Sequence, residues 1–227
     1  FTQHALRQSE FRREEYWSKA DSSGLAKWVA SCKPYRRQLW EDVIGRLPDP
    51  TEPMNPRSRL AYDRGKWRGY EVVLDVWPDV FAYGILLLPK DIKPGERRPV
   101  VVTQHGLECT PRNTIERRFA RAYSQYAAKL VERGFVVYAP QNPYKGQDDF
   151  RVLQRKANPL GWSLFSFIIG QHDQTLRWLK TLPFVDAKRI GFYGISYGGK
   201  TAVRVPTILT DYALSICSAD FNEWIYK

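Results

Sequence analysis

The sequence predicts an α/β fold, with a mostly parallel β-sheet wrapped by helices and an antiparallel hairpin at its N-terminal side. Three short apolar runs have the composition of buried strands of a parallel sheet; they lie at 99–103, 135–139 and 189–193, and a last strand is predicted at 213–218. Amphipathic stretches separate these runs, which is typical of alternating strands and helices. Two earlier runs, 70–77 and 81–88, are joined by Pro78-Asp79 and predict the hairpin.

The stretches between the parallel strands each predict a helix. Asn113 opens the first helix, with Glu116 placed as in a capping box, and Gly134 closes it. A long excursion over 140–161 leads to a second helix that ends near Leu182, and a third helix precedes the last strand. The resulting order is a hairpin followed by β-α-β-α-β-α-β.

The sequence predicts two regions. Residues 1–54 form a helical segment that Pro34 interrupts and that ends in the proline-rich linker 48–53. Residues 55–227 form the α/β domain. Few residues follow the last strand, so we expect the sequence to stop inside the fold, with the C-terminal part of the domain missing.

The composition is that of an ordinary globular protein, with 43% hydrophobic and 26% charged residues. No apolar run approaches the ~18 residues that span a bilayer, so no membrane partner is expected. The net charge of +11 is scattered along the chain without a nucleic-acid motif, so no nucleic-acid partner is expected. Cys32, Cys109 and Cys217 are widely spaced, which argues against a zinc site. Buried free thiols are expected, and one disulfide remains possible.

The motif that indicates chemistry is Gly194-Ile195-Ser196-Tyr197-Gly198-Gly199, between a predicted core strand and a helix. In this context G-x-S-x-G is typical of a nucleophile elbow, a sharp turn that lifts the serine hydroxyl above the sheet. Larger side chains at Gly194 or Gly198 would collide in so tight a turn. Ser196 is therefore the predicted nucleophile, and the Tyr197 N–H at the helix start is a predicted oxyanion donor.

A second oxyanion donor is expected in the loop after the first parallel strand. There, His105-Gly106-Leu107 turns toward the site, and we assign the donor to the Leu107 N–H. His105 leaves a core strand, so it is expected to have a structural or loop-orienting role. His172 is expected to be a hydrogen-bonded helix residue, and His4 is the weakest candidate for a base.

A rival motif overlaps the elbow. Residues 194–201 fit the phosphate-binding pattern G-x-x-x-x-G-K-[ST], with Lys200 and Thr201 at its end, and the last strand leads to Asp220. A phosphate loop normally follows the first strand of its domain, however, and this one follows several. It would also leave the His105-Gly106 loop unexplained. We therefore prefer the elbow and expect Lys200 to be an exposed helix residue.

These residues make the chain similar to the α/β-hydrolase superfamily, and within it to the dienelactone-hydrolase and acetyl-xylan-esterase group. The resemblance runs from about Trp67 to Asp220 and includes Pro89, His105-Gly106, residues 185–190 and the elbow. It implies a serine hydrolase that cleaves small-molecule or carbohydrate esters without a metal or an organic cofactor. It also implies a triad acid and histidine beyond Lys227, since no histidine follows Ser196. Asp220 is expected to cap a helix instead.

Three alternatives remain open at this point. The group borders the prolyl-oligopeptidase-like hydrolases, so the substrate could be a peptide. A nucleotide-binding protein and a non-catalytic relative of the hydrolases are the others. The basic charge suggests an anionic or uronic-acid-bearing ester as the substrate.

Overall fold

A computed structural model describes residues 2–219, without the side chains of residues 2 and 120. The described residues divide into two compact units, 2–43 and 44–219. The first unit is helical. Its elements are α1 (Thr2–Trp17), α2 (Leu25–Ser31), α3 (Lys33–Gln38) and a π-helical stretch over Leu39–Gly45 that continues into the second unit.

The second unit contains one sheet of seven strands in the order β1-β2-β3-β5-β4-β6-β7. The strands are β1 (Arg57–Asp63), β2 (Trp67–Trp77), β3 (Val80–Pro89), β4 (Arg98–Gln104), β5 (Val136–Gln141), β6 (Val185–Ile195) and β7 (Leu214–Ser218). The first three strands pair antiparallel with their neighbours, and β5, β4, β6 and β7 are mutually parallel. The predicted α/β class, with a parallel sheet and an antiparallel hairpin, is confirmed.

Helices cover both faces of this sheet. They are α4 (Pro111–Ile115), α5 (Ala120–Tyr123), α6 (Tyr126–Glu132), α7 (Asp149–Ala157), α8 (Leu164–Thr181) and α9 (Tyr197–Ile208). Neighbouring residues of β5 show the two faces, because side chains alternate along a strand. Val137 belongs to the apolar cluster that includes Val131 of α6, whereas the Tyr138 ring contacts Trp178 of α8.

The predicted helix from Asn113 to Gly134 is wrong as a single element. The helix begins earlier, at Pro111, and its capping box is formed by Thr110 and Asn113. Glu116 has extended backbone angles that end α4. A 3₁₀ turn and α5 follow, and two residues at positive φ separate α5 from α6. Gly134, at φ +92°, ends α6 as predicted.

Two elements were not predicted. The edge strand β1 is largely exposed and polar, so it lacks an apolar pattern. The excursion over 140–161 contains α7 and a 3₁₀ turn over Asn158–Leu160. The cysteine prediction also needs a correction: within residues 2–219 no disulfide joins the cysteines, and each of the three is half-buried rather than buried. Within residues 2–219, no helix is long and apolar enough to cross a membrane.

Candidate active site

The register of the parallel strands brings the two predicted motifs together. Gln104, the last residue of β4, lies beside Gly194 on β6, and Ile195 lies beside Ser218 on β7. The chain leaves β4 and β6 at the same edge of the sheet, because parallel strands end on the same side. The His105-Gly106-Leu107 loop and the elbow are therefore neighbours.

Ser196 has the backbone of a nucleophile elbow. Its φ of +58° and ψ of −122° lie outside the regions that non-glycine residues usually adopt. The turn is held by the Ser196 N–H, which donates to the Ser218 carbonyl at 3.0 Å, and by the Gly199 N–H, which donates to the Ser196 carbonyl at 2.8 Å. The side chain at this turn is exposed. A strained, exposed serine between a strand and a helix is what the sequence motif predicts.

The glycines of the elbow are required by close backbone contacts. A Cβ at Gly194 would overlap the Gly198 carbonyl. A Cβ at Gly198 would lie 2.5 Å from the Gln104 oxygen and 2.7 Å from the His105 oxygen. At Gly198 the start of α9 therefore contacts the backbone at the end of β4, which leaves no room for a Cβ atom.

The His105-Gly106-Leu107 loop passes close to Ser196. A Cβ built on Gly106 would lie 3.2 Å from the Ser196 Cβ. The Gly106 N–H donates to the Tyr123 hydroxyl at 2.9 Å, so it is not available to a substrate. The N–H groups of Leu107 and Tyr197 have no hydrogen-bond acceptor among the described residues. The two predicted donors are thus available on either side of Ser196, within the described part of the chain.

His105 has the environment of a structural residue. It is fully buried, and its Nδ1 lies 2.8 Å from the Gly106 carbonyl oxygen. Burial lowers the pKa of His105 to about 4, so the ring is neutral near neutral pH. A neutral ring donates its Nδ1–H to the Gly106 carbonyl, which supports the predicted loop-orienting role.

His172 is also buried, inside α8. Its Nδ1 accepts from the Tyr212 hydroxyl at 3.0 Å, and its Nε2 lies 3.2 Å from the Oδ1 of Asn142. Burial lowers the pKa of His172 to about 3. Both ring nitrogens are occupied, as expected for a hydrogen-bonded helix residue. His4 lies on α1, in the other unit.

The geometry does not support a phosphate loop at 194–201. The N–H groups of Gly199 and Lys200 both donate to the Ser196 carbonyl instead of pointing outward toward an anion. The Thr201 hydroxyl is buried between Asn142 and the Tyr197 carbonyl, so it is not free for a metal ion. Lys200 is half-buried rather than exposed, and its ammonium lies 4.5 Å from the centroid of the Tyr197 ring. Asp220 lies outside the described residues.

Several supporting residues were not identified from the sequence. Tyr123 and Asn142 reach the site from separate parts of the chain, and no local motif marks them. Thr201 is marked only as the last residue of the rival phosphate-binding pattern. Tyr144, in the excursion over 140–161, is fully buried. Phe150 of the same excursion is buried as well, which shows that these aromatic residues pack the loop.

The seven-stranded sheet, its flanking helices and the elbow are those of the α/β-hydrolase fold. Residues 112–213 match the family model described as the dienelactone hydrolase family. The resemblance predicted from the sequence, to the dienelactone-hydrolase and acetyl-xylan-esterase group, is thereby confirmed.

Three proteins named as esterases are among the solved structures that share the fold of this chain. A protein from Bacteroides fragilis assigned as an acetyl xylan esterase is 20% identical, with a TM-score of 0.68 over 82% of this chain and 52% of that chain. Acetyl xylan esterase 1 from Thermoanaerobacterium is 16% identical, with a TM-score of 0.53 over 77% and 55%. A glucuronoyl esterase from Solibacter usitatus is 16% identical, with a TM-score of 0.56 over 86% and 60%.

One curated relative is a peptidase by name. A protein from Aspergillus clavatus named as a probable dipeptidyl peptidase 4 is 26% identical over 140 residues, which is 60% of this chain and 17% of that protein. The chain thus spans a small part of this relative and 52–60% of the three solved structures.

Proposed function

We propose that the protein is a serine hydrolase that cleaves carboxylic esters through an acyl-Ser196 intermediate. The observation that carries this proposal is the strained, exposed Ser196 directly beneath Gly106 of the oxyanion loop. Unpaired N–H groups on both sides of the nucleophile make this arrangement suited to a carbonyl that becomes negatively charged. The esterase neighbours and the dienelactone hydrolase match support the ester as the substrate class.

The proposed reaction has two acyl-transfer steps. The Ser196 Oγ attacks the ester carbonyl carbon and loses its proton to a base, while the N–H groups of Leu107 and Tyr197 stabilise the oxyanion. The tetrahedral intermediate expels the alcohol, which takes the proton. Water then attacks the acyl-enzyme in the same way and releases the carboxylic acid. No step calls for a metal or an organic cofactor.

The base is assigned to the rest of the full-length protein. A serine hydroxyl needs an adjacent base to act as a nucleophile. His105 and His172 are buried, and their pKa values are too low for proton transfer near neutral pH. Because the chain spans 52–60% of those three esterase structures, we propose that the histidine and its acidic partner follow Lys227.

The experiment is ester hydrolysis by the full-length protein, with Ser196→Ala as the matched variant. We expect wild-type protein to hydrolyse p-nitrophenyl acetate and acetylated xylose, and the variant to lose at least about a thousandfold in kcat. Equal rates for the two proteins would reject Ser196 as the nucleophile. A folded wild-type protein without activity on any ester would favour the non-catalytic alternative.

A peptidase is the second candidate. The similarity to the probable dipeptidyl peptidase 4 favours it, since the same elbow chemistry can cleave amides. The rates of cleavage of dipeptide p-nitroanilides and of the matching esters distinguish a peptidase from an esterase. Faster cleavage of the anilides would make the protein a peptidase that uses the same nucleophile.

A further inference from the structure

The segment Asn142–Gln147, which follows β5, contacts both sides of the oxyanion site. We propose that this segment is a brace that fixes the separation of the two oxyanion donors, with Tyr144 as the principal positioning residue. The inference rests on the proposed function, because it assigns these donors to an oxyanion. It goes further by naming what holds the donors in place.

The brace holds the residues on either side of Leu107 through several hydrogen bonds. The Tyr144 hydroxyl donates to the His105 carbonyl at 2.6 Å, and the Glu108 N–H donates to the Tyr144 carbonyl at 3.1 Å. These bonds hold the residues two before and one after Leu107. The Glu108 carboxylate in turn accepts the N–H groups of Gly146 and Gln147, each at 2.8 Å. The peptide that carries the Leu107 N–H lies between these two anchored residues, and its carbonyl, that of Gly106, accepts from the His105 Nδ1 and the Cys109 N–H.

The same segment fixes the Tyr197 side. The Tyr144 ring lies with its centroid 5.0 Å from that of Tyr197. The Asn142 Nδ2 donates to the Thr201 hydroxyl at 3.1 Å, and this hydroxyl donates to the Tyr197 carbonyl at 3.2 Å. Asn142 is itself held by His172. The first turn of α9 is therefore tied to the segment that also holds the oxyanion loop.

The arrangement has features of a site that must be held in one geometry. Asn142, Tyr144 and Thr201 are all buried, and each satisfies its polar groups within the network. Glu108 is kept at φ +60°, a conformation that costs a non-glycine residue free energy. Burial raises the pKa of Tyr144 far above its usual value, so its hydroxyl stays protonated and can donate. Donors that are fixed before the reaction need no reorganisation in the transition state.

Tyr144→Phe in the full-length protein tests the brace, because it removes the hydroxyl and keeps the ring. Tyr138→Phe is the matched control, since Tyr138 is equally buried and its hydroxyl bonds to neither the oxyanion loop nor the elbow within the described residues. We expect Tyr144→Phe to lower kcat about tenfold with KM changed less than about twofold, since a displaced donor costs less than the 10²–10³ of a deleted one. The control is expected to stay within about twofold of wild type in both constants.

Hydrogen–deuterium exchange of the peptide containing residues 105–109 supplies a readout that does not depend on activity. We expect faster exchange there in Tyr144→Phe and unchanged exchange in Tyr138→Phe. Glu108→Gln, at a half-buried site that is less critical for folding, should show the same pattern with a smaller effect. Unchanged exchange in both Tyr144→Phe and Glu108→Gln would overturn the brace.

Kinetics separates the two proposals. An active wild type with unchanged kcat in Tyr144→Phe would overturn the catalytic part of the inference and leave the proposed function intact. An inactive wild type whose loop exchange still responds to Tyr144→Phe would remove the proposed function, and with it the oxyanion role of the brace. A parallel rise in KM, with kcat unchanged, would assign Tyr144 to substrate binding and contradict the inference.

Discussion

The backbone of Ser196 is unfavourable for a serine, and its neighbours hold it there. A φ of +58° with a ψ of −122° costs on the order of 1–3 kcal/mol for a non-glycine residue. The Ser196 N–H and carbonyl are both engaged in the hydrogen bonds of the turn. The strain therefore keeps the hydroxyl exposed at the carboxyl edge of the sheet, where a nucleophile can reach a substrate.

The close contact of the elbow with the end of β4 gives a direct prediction. Gly198→Ala places a methyl group 2.5 Å from the Gln104 oxygen, and two backbone segments cannot separate without moving the oxyanion loop. We expect a loss of about 1–3 kcal/mol in the free energy of unfolding and at least a tenfold loss of ester hydrolysis. Urea denaturation and steady-state rates measure the two effects.

Gly191→Ala on the same strand is the control for that substitution. A Cβ there meets nothing closer than 3.8 Å, so we expect activity close to that of wild type. Equal losses in the two variants would show that the contact between Gly198 and β4 has no special role.

The two buried histidines predict how stability depends on pH. Burial lowers the pKa of His105 to about 4 and that of His172 to about 3, from 6.5 in the unfolded chain. Below pH 6.5 the unfolded chain therefore binds protons that the folded protein does not. Stability is fully present above pH 6.5 and falls as the pH drops toward 4, by up to about 1.4 kcal/mol per pH unit for each histidine.

Urea denaturation between pH 7 and 5 measures this slope. His172→Gln should lower the free energy of unfolding at every pH, because it disturbs the hydrogen bonds to Tyr212 and Asn142. It should also reduce the dependence of this free energy on pH to about half, because one of the two buried histidines is removed. Stability that does not change over this pH range would contradict the buried, neutral state of the two rings.

At the scale of elements, a carboxylate joins the edge strand to the rest of the sheet. Glu71 on β2 is nearly buried and accepts hydrogen bonds from Arg59 of β1, Tyr83 of β3 and Arg112 of α4. Burial alone would raise the pKa of Glu71, but these three hydrogen bonds outweigh it and hold the pKa below its usual value. This one side chain connects four elements.

Glu71→Gln tests this connection. The amide cannot satisfy two guanidinium groups and a hydroxyl, so we expect a loss of about 1–3 kcal/mol in the free energy of unfolding, measured in urea. Asp63→Asn removes an exposed partner of Lys90 and should cost less than about 1 kcal/mol. A loss for Glu71→Gln no larger than that for Asp63→Asn would show that the cluster adds little to stability.

The elements that were predicted well are those whose local signal agrees with their packing. The central parallel strands β4 and β5 contain continuous apolar runs, and they form as predicted. The helix predicted from Asn113 to Gly134 has the right apolar spacing, but Glu116 breaks it with side-chain bonds to Tyr62 and Arg118. The edge strand β1 forms through pairing with β2 and not through an apolar face, so its own residues do not signal it.

At the scale of the whole molecule, the sequence indicates the two motifs of the site but not all of the residues that hold them in place. The G-x-S-x-G and His-Gly motifs indicate a site because each is local, and strand order brings them together. The contacts of Tyr144 with His105 and of Asn142 with Thr201 join residues 39 and 59 positions apart. No local pattern encodes such contacts, so only the assembled fold reveals the brace.

The net charge gives a prediction for the whole protein. The chain has 35 lysine and arginine residues against 24 aspartate and glutamate residues. If this balance steers an anionic substrate, kcat/KM for a uronate ester should fall severalfold between about 0.01 and 0.15 M salt, as the Debye length shortens from roughly 30 to 8 Å. A neutral acetyl ester is the control. Equal salt dependence for both esters would remove the preference for an anionic substrate.

The most direct test of the central claim is covalent labelling of Ser196. Full-length wild-type protein and Ser196→Ala are each treated with a fluorophosphonate, and the intact masses are recorded. We predict a single adduct on wild type and none on the variant, because only an activated serine displaces fluoride at a useful rate. The absence of an adduct on folded wild-type protein, or the same adduct on Ser196→Ala, would contradict Ser196 as the nucleophile.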